Sequence, residues 1–417
     1  MDRFVIDGGR PLRGTIHISG SKNAALPILI ATLLTDEPCV LENVPTKLRD
    51  IRLTIRVLEA IGKRVDVSGS RVFVHAGKPL KTRAPYDLVK QMRASVLVAG
   101  PLLARFGWVR VPIPGGCAIG VRPIDIHIKG FEDLGARRVL EQGDLILDSP
   151  LRPGRVRFKF PSVGATENLM MAAAAIDGVT VIANAAREPE IEDLGGFLGA
   201  MGAKVSGAGT STVTVRGSRH LRGAKHSVIP DRIETGTYML AAAATQGSLQ
   251  LAGTESQHLK ALISKMRAAG AVVREGRGHI AVSMKGRPRP VSIATAPHPG
   301  FPTDLQAPWM AWMSLAQGTS RVREAVFENR FMHAAELSRM GARIAVSGET
   351  AAVHGVPGLS GAPIMASDLR AGAALLVAAL AAPGRTTVAR VYHIDRGYER
   401  IEAKLRAAGA RVRRVRR

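Results

Sequence analysis

The sequence predicts an α/β protein made of two domains, each built from three repeated α/β units. The chain has 417 residues, of which 46% are apolar and 22% charged, as is typical of folded soluble proteins. This length exceeds what one hydrophobic core usually serves, so two domains are expected. Similar segments also recur about every 70 residues, and each changes from a helical to a strand pattern at a glycine.

The repeat is defined by six glycines that are separated by 67 to 73 residues along the chain. They are Gly62, Gly135, Gly202, Gly270, Gly341 and Gly409. We expect each to end a helix in the left-handed conformation, which costs least without a Cβ atom. Alternating apolar residues after each glycine predict a strand. A period of about 70 exceeds the roughly 20–50 residues of solenoid repeats and is typical of a duplicated α/β module.

Two of the helices before these glycines have a clear apolar face, with apolar residues at helical spacing. The residues of the two faces are Leu194, Phe197, Leu198 and Met201, then Leu259, Leu262, Ile263 and Met266. Turn residues and charges interrupt the pattern at 20–23 and 226–233. We therefore expect one domain over residues 22–229 and a second formed by residues 1–21 and 230–417.

Charge and composition limit the possible functions. Lys and Arg number 58 against 34 Asp and Glu, a net charge of +24 that favours anionic partners. Aromatic residues make up only 4%, which counts against base stacking on single-stranded nucleic acid. The longest apolar run, 371–383, is too short for a membrane helix, and no export signal is seen, so we expect a cytoplasmic protein without membrane insertion. The two cysteines have no metal-site spacing, so no metal is expected.

Four segments contain residue types suited to chemistry. In the first, residues 19–26, Ser21 or Asn23 can cap a helix while Lys22 offers an ammonium group to an anion. On this segment alone, a capped helix with an exposed lysine is the favoured interpretation. In the second, the glycine-rich segment 114–120, Cys117 lies five residues before Arg122, which could lower the thiol pKa. The alternative for a lone cysteine is a small buried hydrophobe.

Cys39, which has a strand context, is better interpreted as a small buried hydrophobe. The third set consists of arginines in turns or at helix starts, which are Arg93, Arg330, Arg370 and Arg396. In a chain this basic, each is usually a surface residue, although Arg370 follows two capping residues and is better placed to meet an anion than to stabilise a helix. In the fourth segment, 300–307, Thr303 and Asp304 are interpreted as a helix N-cap, with a general-base role for Asp304 as the alternative.

Ten short motifs then follow one another along the whole chain. They lie at residues 20–24, 92–95, 114–120, 122–123, 161–168, 231–236, 301–304, 328–331, 367–372 and 395–399. In this order they are similar to the UDP-N-acetylglucosamine 1-carboxyvinyltransferases, a group within the enolpyruvyl transferase family. The resemblance implies two inside-out α/β barrels of three repeats each, which agrees with the six units counted above. It implies no cofactor.

The resemblance also implies an activity and the residues that perform it. Enolpyruvyl would pass from phosphoenolpyruvate to the 3′-hydroxyl of UDP-N-acetylglucosamine through a tetrahedral ketal, releasing phosphate in peptidoglycan precursor synthesis. Cys117 matches the proton donor at C3 and Asp304 the residue close to the acceptor hydroxyl. Six cations would hold the phosphate and carboxylate of phosphoenolpyruvate, and two of them, Lys22 and Arg396, would be catalytic. The others are Arg93, Arg122, Arg330 and Arg370.

The remaining predicted contacts concern the nucleotide sugar. Asn23 resembles the residue that binds the sugar and the intermediate. The implied substrate-binding positions, most of them for uridine diphosphate, are Arg122, Pro123, Ile124, Asp125, Ile126, Ser162, Val163, Gly164, Arg232, Val326 and Asp368. Whether Cys117 acts as proton donor, nucleophile or both stays open.

Three rival functions are retained. One is the related transferase that uses shikimate 3-phosphate, although the cysteine loop and the segment 161–165 favour the nucleotide-sugar enzyme. The second is a nucleic-acid-binding protein, motivated by the net charge of +24, which also suggests nonspecific polyanion binding. The third is a duplicate without activity, which no missing motif supports.

Overall fold

A computed structural model describes residues 2–112 and 124–416 of the chain. The chain divides into two compact units. The N-terminal unit contains residues 20–112 and 124–229, and the C-terminal unit contains residues 2–19 and 230–416. The chain therefore passes between the units at 19–20 and at 229–230. No helix in these described parts is long and apolar enough to span a membrane.

The described residues form strands and α-helices that are mixed along the chain. The strands are β1 (Arg3–Gly8), β2 (Arg13–His17), β3 (Cys39–Glu42), β4 (Arg64–Ser68), β5 (Arg71–His75), β6 (Trp108–Pro112), β7 (Arg137–Glu141), β8 (Asp144–Asp148), β9 (Arg155–Arg157), β10 (Gly178–Ala183), β11 (Lys204–Ser206), β12 (Thr212–Gly217), β13 (Lys225–Ser227), β14 (Ser248–Ala252), β15 (Val272–Gly276), β16 (His279–Ser283), β17 (Ile293–Ala294), β18 (Thr319–Arg323), β19 (Arg343–Ser347), β20 (Thr350–His354), β21 (Pro363–Met365), β22 (Gly384–Ala389) and β23 (Arg411–Val415). The helices are α1 (Lys22–Ala31), α2 (Arg49–Ile61), α3 (Tyr86–Val89), α4 (Ala99–Phe106), α5 (Asp125–Asp133), α6 (Val163–Ala174), α7 (Pro189–Ala200), α8 (Arg232–Ala244), α9 (Lys260–Ala268), α10 (Gln306–Met313), α11 (His333–Arg339), α12 (Leu369–Ala381) and α13 (Ile401–Ala407).

The predicted role of the six repeat glycines is confirmed. Each has a positive φ, between 88° and 133°, and a strand begins two residues after it. In every case this strand lies at the edge of its sheet. The two predicted apolar faces, in α7 and around α9, are also confirmed, because all eight residues are at most 2% exposed.

One sheet pattern repeats through the chain, which explains the sequence period. In the C-terminal unit the sheets are β21-β22-β1-β23, β2-β14-β16-β15 and β17-β18-β20-β19. Each begins with a parallel pair and continues with two antiparallel pairs. The N-terminal unit repeats this order in β13-β3-β5-β4 and β9-β10-β12-β11. Its third sheet, β6-β8-β7, has a single parallel bridge from Arg83 to Arg110 where the fourth strand would pair.

Buried helices form the interior of the C-terminal unit. Every residue of α8 and α10 is buried, and so is α12 apart from its two ends. The three helices pack against one another, and each also packs against one of the three sheets. Beyond the first turns, most of their side chains are apolar on every face because no face meets water, as expected for central helices. Polar residues are therefore concentrated at the helix ends.

Candidate active site

The N-terminal ends of α8, α10 and α12 meet in the C-terminal unit. Asp231 caps α8 by accepting from the backbone N–H groups of Ile233 and Glu234, at 2.8 and 2.9 Å. Asp368 caps α12, as its position in the sequence suggested, and accepts from the N–H groups of Arg370 and Ala371. The convergence of three helix N-termini produces a positive potential that favours anions.

A carboxylate lies between two buried guanidinium groups at this point. Asp304 Oδ1 accepts from Nη2 of Arg330 at 2.6 Å, and its Oδ2 accepts from Nη2 and Nε of Arg370 at 2.8 and 3.0 Å. Both arginine side chains are 5% exposed, whereas Asp304 is 25% exposed. Burial alone would lower the pKa of Arg370, but the groups around it, Asp304 foremost, together outweigh this and raise it above its ordinary value. The cluster thus keeps a net positive charge.

The expectation that Thr303 and Asp304 cap a helix is wrong. They lie in a 3-10 turn, Thr303–Leu305, and α10 begins only at Gln306, after Leu305, which provides no side-chain cap. The polar atoms of both side chains bond to distant residues instead. The orientation of Asp304 is therefore set by Arg330 and Arg370 and not by the N-terminus of α10.

Another buried carboxylate, Glu324, was missed by the sequence analysis. It directly follows strand β18 and is 1% exposed. Its Oε2 accepts from the hydroxyl of Thr303 at 2.8 Å, and that same hydroxyl oxygen accepts from Nη1 of Arg330 at 2.8 Å. No motif marks Glu324, because the two hydroxyl groups that it binds, on Thr295 and Thr303, lie 29 and 21 residues away in the sequence. The signal that could have found it is an acidic residue directly after a strand.

The other predicted residues of this unit occupy different places. Arg232, at the start of α8, is 8% exposed and lines a cavity of about 170 Å³ together with His258 and His298. Val326 is half-buried and donates its N–H to Oε1 of Glu324 at 3.0 Å. Arg396 ends a 3-10 helix, Val391–Arg396, and is partly exposed.

In the N-terminal unit, Lys22 is buried, contrary to the favoured interpretation of an exposed lysine. It is 9% exposed, and its Nζ lies 3.4 Å from Oδ2 of Asp50. Ser21 caps α1 by accepting from the N–H of Ala24, so Asn23 is left in the first turn, half-buried. A lysine held in the first turn of a buried helix opposes the helix dipole, which suits an anion site better than helix stability.

The two segments predicted to contact uridine diphosphate lie next to each other. Ser162 caps α6, and Val163 and Gly164 begin it. Residues 124–126 are the start of α5, whose His127 bonds to Asn168 of α6 at 3.2 Å. A Cβ added to Gly164 would lie only 3.3 Å from the His127 ring, so only glycine allows this approach without displacement. Two helix N-termini are therefore close together.

Some predicted residues cannot be placed. Cys117, Arg122 and Pro123 lie outside the described residues. Arg93 begins a 3-10 helix, Arg93–Val98, directly before α4, and its side chain is not described. Cys39 lies in β3, is 1% exposed, and has its thiol pKa raised by burial, which confirms a structural role.

Comparisons with known proteins show the family of this chain. The family model for EPSP synthase (3-phosphoshikimate 1-carboxyvinyltransferase) matches residues 6–405. The UDP-N-acetylglucosamine 1-carboxyvinyltransferase of Elusimicrobium minutum is 52% identical over 415 residues, 99% of this chain and 98% of the relative. That of Sorangium cellulosum is 54% identical over 418 residues, 100% of this chain and 99% of the relative.

Solved structures share the fold over the full length. An enolpyruvyl transferase from Streptomyces tendae superposes with a TM-score of 0.90 at 26% identity, covering 99% of this chain and 98% of the other. EPSP synthase from Acinetobacter baumannii gives a TM-score of 0.76 at 16% identity, with 100% of both chains covered, which shows the fold alone. The chain belongs to the enolpyruvyl transferase family, among relatives named UDP-N-acetylglucosamine 1-carboxyvinyltransferases.

Proposed function

We propose that the protein transfers the enolpyruvyl group of phosphoenolpyruvate to the 3′-hydroxyl of UDP-N-acetylglucosamine and releases phosphate, a step of peptidoglycan precursor synthesis in the cytoplasm. Names of relatives at 52–54% identity over the full length support this reaction. The observation that carries it is the Asp304 carboxylate held between the buried guanidinium groups of Arg330 and Arg370 at three helix N-termini.

The cations of this cluster suit an anionic substrate. Nη1 of Arg370 is buried and has no hydrogen-bond partner among the described residues. A buried donor without an acceptor is unfavourable, so an incoming phosphate or carboxylate oxygen would gain a charge-assisted bond there. Arg330 would contact the same substrate, together with Arg93, Arg122 and Arg396. Lys22 would supply a further positive charge.

The chemistry needs one proton donor and one proton acceptor. Cys117 would protonate C3 of phosphoenolpyruvate, leaving oxocarbenium character at C2, and the acceptor hydroxyl would then attack C2. Asp304 would take the proton of this hydroxyl. In the second step the tetrahedral ketal would return a proton from C3 to the thiolate of Cys117 as phosphate leaves from C2, which restores the double bond. The arginines would stabilise the charge on the departing phosphate.

The nucleotide would bind at the adjacent ends of α5 and α6. Backbone N–H groups at these two helix starts favour the diphosphate, as helix N-termini favour phosphate in general. Ser162, Val163 and Gly164 would provide these contacts from α6, and residues 124–126 would provide them from the start of α5. Arg122 and Pro123 would join them. Asn23 would bind the sugar, while Arg232, Val326 and Asp368 would complete the acceptor site.

Phosphate release from phosphoenolpyruvate tests the proposal. Release that requires UDP-N-acetylglucosamine, and does not occur with shikimate 3-phosphate, supports it. Release with shikimate 3-phosphate alone would establish the alternative acceptor, and release with neither would exclude the transferase activity for this protein.

The net charge of +24 supports a second, weaker interaction with polyanions. Arg137 and Arg138 lie on the exposed strand β7, where they also pair with Asp148 and Glu132. Binding to nonspecific DNA that disappears at moderate salt, while transferase activity persists, would assign it to surface charge. Binding that survives such salt would point to a dedicated nucleic-acid site.

A further inference from the structure

We propose that Glu324 is a positioning residue that fixes the hydroxyl direction of Thr303 and thereby the geometry of the Arg330–Asp304 pair. The inference rests on the proposed function, in which these groups meet the substrates. Glu324 itself contacts none of the reacting atoms in this account. It acts on them through one hydroxyl group and two backbone N–H groups.

The carboxylate of Glu324 is buried and fully occupied by donors. Oε1 accepts from the hydroxyl of Thr295 at 2.8 Å and from the N–H groups of Val326 and Phe327 at 3.0 and 3.1 Å. Oε2 accepts from the hydroxyl of Thr303 at 2.8 Å. Glu324 therefore joins the turn that contains Asp304 to the turn that contains Val326. Four donors around a carboxylate that is 1% exposed hold it in one orientation.

The direction of the Thr303 hydroxyl follows from this arrangement. An ionised carboxylate can only accept, so Thr303 must donate its single hydroxyl proton to Glu324. Its lone pairs then remain for Nη1 of Arg330, which lies 2.8 Å away and can only donate. The other end of the same guanidinium bonds to Asp304 at 2.6 Å. The chain Glu324–Thr303–Arg330–Asp304 is thus ordered by donor and acceptor type at every step.

An isosteric replacement would break this order at one point. In Glu324→Gln the amide oxygen must stay at the Oε1 position, where three donors meet it, so the NH₂ group faces Thr303. The Thr303 oxygen would then accept from the amide, so its proton would lose the acceptor that fixes its direction. A proton that turns toward Arg330 would oppose its donor, and one that turns away would lack an acceptor. The guanidinium, and with it the carboxylate of Asp304, would then no longer be held in one position. The side-chain volume is nearly unchanged, so folding is expected to be retained.

Steady-state kinetics of Glu324→Gln, Thr303→Val and the double variant test the proposal. We expect each single variant to lower kcat at least tenfold, with the melting temperature within a few degrees of the wild type. Because both changes interrupt the same chain, the double variant should be within threefold of the slower single variant. Thr303→Ser, which keeps the hydroxyl, should restore kcat to within threefold of the wild type.

The matched control is Glu349→Gln. Glu349 is a 64% exposed glutamate beside β20 that pairs only loosely with Arg323, at 3.5 Å. It should have wild-type kinetics. Full activity of Glu324→Gln, or losses that multiply in the double variant, would overturn the proposal.

Backbone amide exchange tests the same contacts without turnover. In Glu324→Ala the N–H groups of Val326 and Phe327 lose their acceptor, and we expect them to exchange at least tenfold faster than in the wild type. Unchanged exchange would overturn the proposed anchoring of this turn. If the wild type releases no phosphate with either acceptor, the proposed function fails, and the exchange result still decides whether Glu324 holds the turn.

Discussion

A buried neutral histidine behind the Asp304 cluster predicts a specific loss of stability at acid pH. His333, at the start of α11, is 2% exposed, and its Nε2 lies 3.3 Å from the sulfur of Met310. Burial lowers the pKa of His333 from 6.5 to about 4, although the nearby carboxylate of Asp368 opposes this. Arg330 acts in the same direction as burial because a second positive charge beside it is unfavourable.

The size of the effect follows from these two pKa values. The folded-state pKa lies below the unfolded-state pKa, so the unfolded chain binds more protons. The free energy of unfolding therefore decreases as the pH decreases. His333 lowers the free energy of unfolding by RT ln[(1 + 10^(6.5 − pH))/(1 + 10^(4 − pH))], relative to its value at high pH. This loss is about 0.2 kcal/mol at pH 7 and about 2 kcal/mol at pH 5. Stability is thus lost mainly between pH 6.5 and pH 4, by about 2 kcal/mol on going from pH 7 to pH 5.

Urea unfolding followed by tryptophan fluorescence measures this loss in the relevant unit. Two of the three tryptophans of the chain, Trp309 and Trp312, are fully buried on α10, next to Met310. Replacing the exposed Trp108 of the N-terminal unit by Phe restricts the signal to the C-terminal unit. In this background, His333→Gln stays neutral and can still donate to the Met310 sulfur.

We expect His333→Gln to lose about 2 kcal/mol less than the parent between pH 7 and pH 5. Other groups titrate in both proteins, so their contribution cancels in the comparison. His354→Gln, on the exposed end of β20 in the same unit, is the control and should keep the pH dependence of the parent. Equal pH dependence in the parent and His333→Gln would refute the assignment of a buried neutral imidazole.

Three further predictions concern the reaction. Asp304→Asn should lower kcat about 10²–10⁴-fold in the phosphate-release assay, because the amide cannot take a proton and turns an N–H toward a guanidinium; near-normal turnover would exclude Asp304 as the base. Arg370→Lys should raise the KM for phosphoenolpyruvate at least tenfold, since an ammonium cannot reproduce the fork, whereas Arg385→Lys, on an exposed pair with Asp7, should not. An epoxide such as fosfomycin should add once per chain, at Cys117 and not at the buried Cys39, and Cys117→Ser should lose both this addition and turnover; persistence of both would remove Cys117 from the mechanism.

The repeat and its helix ends could be predicted from the sequence because they depend on local properties. Each repeat glycine requires a positive φ, and this requirement does not depend on distant residues. The caps provided by Ser21 and Asp368 are equally local, since each accepts from N–H groups two or three residues ahead. The glycine recurs in all six repeats and a side-chain cap begins α1, α6, α8 and α12, so these signals reinforce one another along the chain.

The functional pairings could not be predicted, because their partners are distant in the sequence. Asp304 has the local pattern of a cap, yet its partners Arg330 and Arg370 lie 26 and 66 residues away. Lys22 has the pattern of an exposed residue, but it is only 9% exposed and its ammonium group lies beside the carboxylate of Asp50. Only the resemblance to a family indicated that these residues belong together, and it gave no indication of Glu324.

The central claim is tested most directly by identifying the product made from phosphoenolpyruvate and UDP-N-acetylglucosamine. We predict a nucleotide sugar with one enolpyruvyl ether at the 3′-oxygen, detected by mass spectrometry and NMR, in a one-to-one ratio with released phosphate. Shikimate 3-phosphate in its place should give no adduct. Phosphate release without this ether, or an adduct formed only on shikimate 3-phosphate, would contradict the account.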